Sequence, residues 1–320
     1  MASAHRPITP TRAVPGSHDD RVRLEVHPGE VVGFDEFRAT HQAAALALDG
    51  YVDGPPRWDW EGPWGNLDHH TGVERLRTGA ACEQVAAAVR LGLWERLGDG
   101  RSLHVHVNDC DADTCLAVWL LRHPERVAEP PVDLLVRWEG RLDAHGGCAL
   151  GQIPDRYLPY LAWVFEPYVQ WRSDTDADLG SARQIEVIDE VAGRIDAWAD
   201  GRAAQLLIDS DYRIVHCTDH VVAVDERGPH ARLALQGDGR RCFVAVRRHG
   251  GRTVMSIGRV DDEVPVDLVA VWADLNEHEG RDDSDADRWG GGDLIGGSPR
   301  RSGTSLPLRV VCEVVEAHWG

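Results

Sequence analysis

The sequence predicts an α/β fold: a mainly parallel sheet flanked by helices, followed by a smaller C-terminal α+β unit. Three observations carry this expectation. Strand-like and helix-like segments alternate through the first part of the chain, the pattern of βαβ units. Acidic and histidine-rich clusters fall just after apolar runs, where open parallel sheets place their ligands. Beyond about residue 205 the segments shorten and are separated by Gly, Pro and Asp. The expected organisation is a flexible tail over 1–20, a metal-binding α/β domain over 21–204 and a substrate-binding α+β domain over 205–320.

The elements follow in order. Residues 1–20 are rich in Pro, Ser, His and Asp and carry no periodicity. RVRLEV, from Arg21, alternates as a strand does. FDEFRATHQAAALALDG has helical spacing and an Ala/Leu face, and predicts one helix ending at Gly50. A Pro/Gly/Trp loop from Asp53 to Gly65 leads to GNLDHHTG, and AACEQVAAAVRLGLWERLG predicts a second helix closed by Gly98. SLHVHVND is a strand that turns at once into the helix DADTCLAVWLLRHP. VDLLVRWEG predicts a buried strand ending in the polar loop RLDAHGG. From about 151 to 204 the pattern is helical, most clearly in IEVIDEVAGRIDAWAD. In the last third, YRIVHCTDHVVAVDE, ARLALQ, CFVAVRRHG and RTVMSIGRV predict short strands. The helix VDLVAVWADLNEHE, the Gly-rich WGGGDLIGGSPRRSGT and a closing strand PLRVVCEVVEA complete the chain.

Composition narrows the function. Thirty-four basic against 53 acidic side chains give a formal charge of −19, which argues against a protein that grips long duplex DNA by its phosphates. No apolar run approaches a membrane span, and the N-terminal residues lack a secretory signal core. Seven cysteines form no C-x-x-C pair, as expected of reduced thiols in the cytoplasm.

Three clusters carry chemistry. Asp68, His69 and His70 offer carboxylate and imidazole together, a mixed N/O set suited to Mn²⁺, Zn²⁺ or Fe²⁺; the alternative is a polar loop. Asp109, Asp111 and Asp113 in NDCDAD crowd three carboxylates between a strand and a helix. Such a group repels itself unless a cation sits within it, whereas a helix cap needs only one aspartate. Asp143 and His145 form either a ligand pair or a turn. Two metals converging from such clusters would clamp a phosphoryl group. His27, Asp35 and Asp53 are looser candidates, and His104 with His106 forms an H-x-H pair on one strand face.

GNLDHH followed by a helix resembles the signature of the DHH phosphoesterase superfamily. Its members include exonucleases, nanoRNases, cyclic-dinucleotide phosphodiesterases and manganese-dependent inorganic pyrophosphatases. NDCDADTCLAVWLL resembles the family's acidic first motif, with Cys115 in place of the usual small hydroxyl residue. The resemblance implies a phosphoesterase with two divalent ions, Mn²⁺ first among them. Asp109, Asp111 and His69 would be metal ligands, joined by Asp68, Asp113, Asp143 and His145, and His70 would lie nearer the scissile phosphate. The stretch after Trp289 looks like the family's accessory domain with its Gly-Gly-Gly-His loop, except that Asp293 stands where His is expected. Gly291, Gly292, Ser298, Arg300 and Arg301 would then grip the substrate, a small phosphorylated compound or short oligonucleotide. The motif order departs from the family's, since the acidic motif follows Asp-His-His. Either the motifs are permuted, or the segment HPGEVVGFDEF is the first motif and His27, Asp35 and Asp53 become ligands. A protein of this fold that binds metal or nucleotide without turnover, and a non-phosphoryl metallohydrolase built on His104 and His106, are the alternative functions.

Overall fold

A computed structural model describes residues 18–320 apart from 75, 76, 146–148, 150, 151, 175, 176, 229, 250, 262, 283, 284, 286 and 293. Most of the expected tail, the glycines after His145 and Asp293 therefore lie outside the described residues.

The chain is mixed α/β. Strand β1 (Val22–Val26) is followed by β2 (Val32–Gly33), α1 (Phe34–Thr40), β3 (Ala45–Leu48), β4 (Val52–Asp53), β5 (Arg57–Asp59) and β6 (Trp64–Leu67). Helices α2 (Ala81–Arg90) and α3 (Leu93–Leu97), strand β7 (Leu103–Val107) and helices α4 (Ala112–Arg122), α5 (Pro130–His145), α6 (Leu158–Val164), α7 (Glu166–Ser173) and α8 (Ser181–Ala199) come next. The remainder comprises β8 (Tyr212–Cys217), β9 (Val222–Glu226), α9 (Ala231–Gly237), β10 (Cys242–His249), β11 (Arg252–Arg259), α10 (Leu268–Glu279), β12 (Gly290–Gly291), β13 (Ile295–Gly297) and α11 (Leu308–Ala317).

Five segments differ from the sequence expectation, each for a physical reason. The helix foreseen over Phe34–Gly50 stops at Thr40, and Ala45–Leu48 is a fully buried central strand. Alanine favours helix, but pairing on both sides and burial on both faces override that preference. VDLLVRWEG is helix: Pro130 and Pro131 open α5, and Val132, Leu135, Val136 and Glu139 recur at helical spacing on its buried face. The closing segment is also helix, with Val311, Val314 and Val315 buried and Arg309 paired to Glu313 one turn on. ARLALQ likewise forms α9, burying Ala231 and Leu235. The helix expected over 80–98 is broken between α2 and α3 by Gly92, which lies at φ 86°.

The first sheet has the order β1-β7-β3-β6-β5, parallel except for β5. Register sets the site. Val26 pairs with Val107, Ala47 with His106 and Leu48 with Leu67, so β1, β7, β3 and β6 end level at their C-terminal edge. One face of this sheet presents Leu46, Leu48, Val105 and Val107 to the main core with α2, α4 and α8. The other presents Ala45 and Ala47 to a smaller core with Phe34, Phe37, Tyr51 and Val52. The second sheet, β12-β13-β11-β10-β9-β8, is antiparallel except for β9 beside β10, and packs α10 and α11 on a separate core. Among the described residues, no helix is long and apolar enough to cross a membrane.

Candidate metal centre

The level strand ends bring polar residues together by construction. Asp49 follows β3, Asp68 follows β6, and Asn108 to Asp111 join β7 to α4. Asp49 is 6% exposed and holds a left-handed φ of 49°, a conformation that short polar side chains tolerate and that clusters at functional sites. Gly50 follows at φ 84°, where a side chain would be strained, and leaves the ring of His70 close to the backbone. Asn108 donates to the carbonyl oxygens of Gly50 and Glu30, tying the turns after β1 and β3 together.

Asp49, His69, Asp113 and Asp143 each direct one ligand atom to within 4.8 Å of the others, and Asp49, His69 and His70 form an overlapping group. His69 Nε2 lies 2.8 Å from Asp143 Oδ2 and 3.4 Å from Asp49 Oδ1. Yet these three atoms are buried and none has a partner in hydrogen-bonding geometry. Ligand-type atoms that crowd at ion-pair distance without hydrogen-bonding geometry are what ligands of one ion look like, since buried polar atoms otherwise make well-formed hydrogen bonds. Asp143 reaches the group from the buried face of α5, four residues beyond Glu139, rather than from a strand end.

The electrostatics agree with the geometry. Burial pushes the Asp111 carboxyl well above the usual range, with Asp49 and Asp143 adding to it; burial, Asp143 and Asp49 do the same to Asp113. Burial likewise raises Glu139, beside Asp143 and Asp113. At Asp49 burial acts upward, but His69 and His70 outweigh it and hold the carboxyl low. Burial disfavours charge on His69, yet Asp143 and Asp49 raise its pKa to about 10. Concentrated negative charge of this kind is relieved by a cation. The residues present therefore fit a divalent ion, with imidazole and carboxylate donors suited to Mn²⁺, Zn²⁺ or Fe²⁺.

The other expected ligands occupy different places. Asp68 is buried and turned to His70, accepting from its Nδ1 at 2.7 Å and its backbone N–H at 3.2 Å, so it orients that ring. His70 is exposed beside the group, its pKa raised by Asp68 and Asp49 against the effect of burial. Asp111 caps α4 through the Thr114 N–H, and Asp113 accepts from the Ala81 and Cys82 N–H groups at the start of α2, at 2.6 and 2.8 Å. Two of the three NDCDAD carboxylates are thus helix caps; Asp113 is at the same time a member of the group, and Asp111 stands beside it. Asp109 faces Arg172 at 3.5 Å and belongs to no close group among the described residues, and neither does His145. Asp35, in the first turn of α1, and Asp53, in β4, are likewise outside these groups.

Among the described residues, Arg300 is the member of the expected substrate grip that bonds to a residue of 21–204. It donates to the Arg172 carbonyl oxygen at 2.8 Å and lies over Trp171. Gly291 packs so closely on Gly296 that a Cβ would stand 2.2 Å from its Cα, which makes it a hairpin glycine. The Gly292 N–H donates to Ile295. Ser298 is buried and accepts from the Met255 N–H, and Arg301 is held through its backbone N–H to Asp287. A cavity of about 340 Å³ opens beside Asp111 and Asp143, walled by Leu161, Phe165, His230 and Arg232.

Asp49 and Arg172 were not foreseen. A six-residue apolar run, Ala43 to Leu48, followed by Asp-Gly is the signal that marks Asp49; Arg172 carries none. No known family description and no curated protein matches the chain.

Proposed function

We propose that the chain is a divalent-metal-dependent phosphoesterase acting on a small phosphorylated or oligonucleotide substrate. The observation that supports it most is the buried set Asp49 Oδ1, His69 Nε2 and Asp143 Oδ2, crowded to 2.8 and 3.4 Å without hydrogen-bonding geometry at the C-terminal edge of a parallel sheet. Asp49 and His69 belong to both overlapping groups, the arrangement expected where two ions share ligands, with Mn²⁺ the first candidate. When bound, such ions polarise a phosphoryl oxygen and make water a stronger nucleophile.

The chain's own residues supply the rest. His70, oriented by Asp68 and exposed, is placed to stabilise a phosphoryl oxygen or to protonate the leaving group. Arg172 and Arg300 hold the substrate's remaining anionic charge, and the adjacent cavity takes its uncharged part. In this reading residues 21–204 form the metal-binding domain and 205–320 the substrate-binding one. The formal charge of −19 fits a small substrate better than long duplex DNA, and the free cysteines fit a reducing cytoplasm.

The competing reading, a metal- or nucleotide-binding protein of the same construction without turnover, is favoured by Asp109, which faces Arg172 instead of the ligand group. Stripped protein reloaded with Mn²⁺ and given a panel of phosphodiesters and phosphomonoesters separates them. Mn²⁺-dependent hydrolysis that disappears in Asp49→Asn/Asp143→Asn supports the enzyme. Bound Mn²⁺ with no hydrolysis across the panel favours the binding protein, and no bound metal removes the enzyme and leaves only nucleotide binding to the other.

A further inference from the structure

A second group of ligand-type side chains lies on the opposite face of the first sheet and takes no part in the proposed reaction. Its origin is the register: Glu25 of β1 and His106 of β7 are cross-strand partners, and Ala47 of β3 completes the row. The small Ala45 and Ala47 leave room above the sheet, filled by Phe37, His41 and Tyr51. His27, one residue beyond β1, stacks on Tyr51 at 4.6 Å and turns its Nε2 toward His106.

We propose that Glu25, His27 and His106 form a second divalent site, for an ion of the zinc type. Their three donor atoms lie within 4.8 Å of one another. His27 Nε2 and His106 Nδ1 are 3.1 Å apart, and Glu25 Oε2 is 3.9 Å from His106 Nδ1. Two ligands of a tetrahedral ion with bonds of about 2.0–2.1 Å stand about 3.3 Å apart, between those two values. An imidazole–imidazole hydrogen bond accounts for the first contact alone; the carboxylate at 3.9 Å is too distant to bond the ring and is at ligand spacing.

The second ring nitrogen of His27 faces Glu30 at 3.8 Å, beyond hydrogen-bonding distance. The other oxygen of Glu25 faces His104 Nδ1 at 3.4 Å. His106 is 1% exposed, and the nitrogen it turns to His27 and Glu25 is Nδ1. Two imidazoles and one carboxylate suit zinc over calcium or magnesium, and three protein ligands leave a fourth position for water or another ligand. This site does not depend on the phosphoesterase reading, because it shares no residue with the Asp49–Asp143 group.

The test uses the full chain in the Asp49→Asn/Asp143→Asn background, which isolates the second site. Metal-stripped protein is titrated with Zn²⁺ and, as a spectroscopic stand-in, Co²⁺, alone and with His27→Ala or Glu25→Gln added. The expected result is one Zn²⁺ per chain and a four-coordinate Co²⁺ visible spectrum. Zn²⁺ affinity should fall at least tenfold with Glu25→Gln, and the spectrum should vanish with His27→Ala. His27 and Glu25 are partly exposed, so both variants should keep the far-ultraviolet spectrum of the folded chain. A folded background that binds no Zn²⁺, or binds it equally with and without His27 and Glu25, overturns the site.

Discussion

At the level ends of β3, β6 and β7, two imidazoles stand among carboxylates; on the neighbouring face, His27, His41, His104 and His106 stand among one another, with Glu25 at their edge. The same side chain responds in opposite ways. Asp143 and Asp49 carry His69 up to about 10 against burial, whereas burial, His41 and His27 push His106 down to about 3. One sheet therefore offers an anionic pocket that attracts charge and a neutral nitrogen-rich pocket that offers lone pairs. The comparison teaches that the neighbours supplied by register, more than the histidines themselves, decide which ion or proton each place takes.

Removing the anionic side breaks the comparison most severely. Asp49→Asn with Asp143→Asn should lower Mn²⁺ affinity by more than about 100-fold and abolish Mn²⁺-dependent hydrolysis, while the folded circular dichroism spectrum persists. Metal content by mass spectrometry checks it. Retention of tightly bound Mn²⁺ would place the ion elsewhere.

The next largest effect separates the two helix-capping carboxylates of the acidic cluster. Asp113 is fully buried, and its two oxygens hold the first two N–H groups of α2. Asp113→Ala should cost about 2–4 kcal/mol of stability, because it leaves buried amides unmatched at a helix start. Asp111→Ala removes a single cap bond from a less buried residue and should cost about 1 kcal/mol. Urea unfolding of the two variants compares them directly, and equal losses would refute the distinction.

These roles mark how far the sequence could be read. Asp68-His69-His70 and NDCDAD were legible because their members are contiguous, and so were β1, β7, α4 and α8, whose periodicity is clear. Asp49 was hidden because AAALAL has the composition of a helix, and only its pairing between β7 and β6 makes it a strand. Asp143 was legible as a residue but not as a position: the Leu/Val run before it reads as a strand until the paired prolines and the Asp133–Arg137 spacing are given weight. The Asp109–Arg172 pair was invisible, since it depends on how α7 packs beside the β7–α4 turn. The Glu25–His27–His106 group was visible only in pieces, because one register couples strands about eighty residues apart.

The pH response sharpens the contrast by sign. In the metal-free chain His69 has a folded pKa near 10, above its unfolded value, so its contribution to stability is fully present below about 6.5 and fades as pH rises through about 10. A divalent ion must displace that proton, so Mn²⁺ affinity should rise with pH through the same window. Titrating Mn²⁺ into weakly buffered protein at pH 8 should release about one proton per ion from His69, and His69→Gln should remove that release. Unchanged release in the variant would mean that the proton comes from another group.

The smallest effect concerns the C-terminal segment, where Arg300 is an expected phosphate-gripping residue that bonds to α7. Burial and the nearby Arg172 guanidinium lower its pKa, with Asp109 and Asp174 acting the other way. A bound phosphate would relieve that repulsion, so the pair is better satisfied with substrate than without. Arg300→Ala should therefore raise KM for a phosphorylated substrate by up to about tenfold and leave kcat nearly unchanged, because the contact persists from ground state to transition state. Arg301→Ala, in a residue held through its backbone to Asp287, should change neither. A fall in kcat with Arg300→Ala would move that guanidinium from the remote end of the substrate to the reacting phosphate.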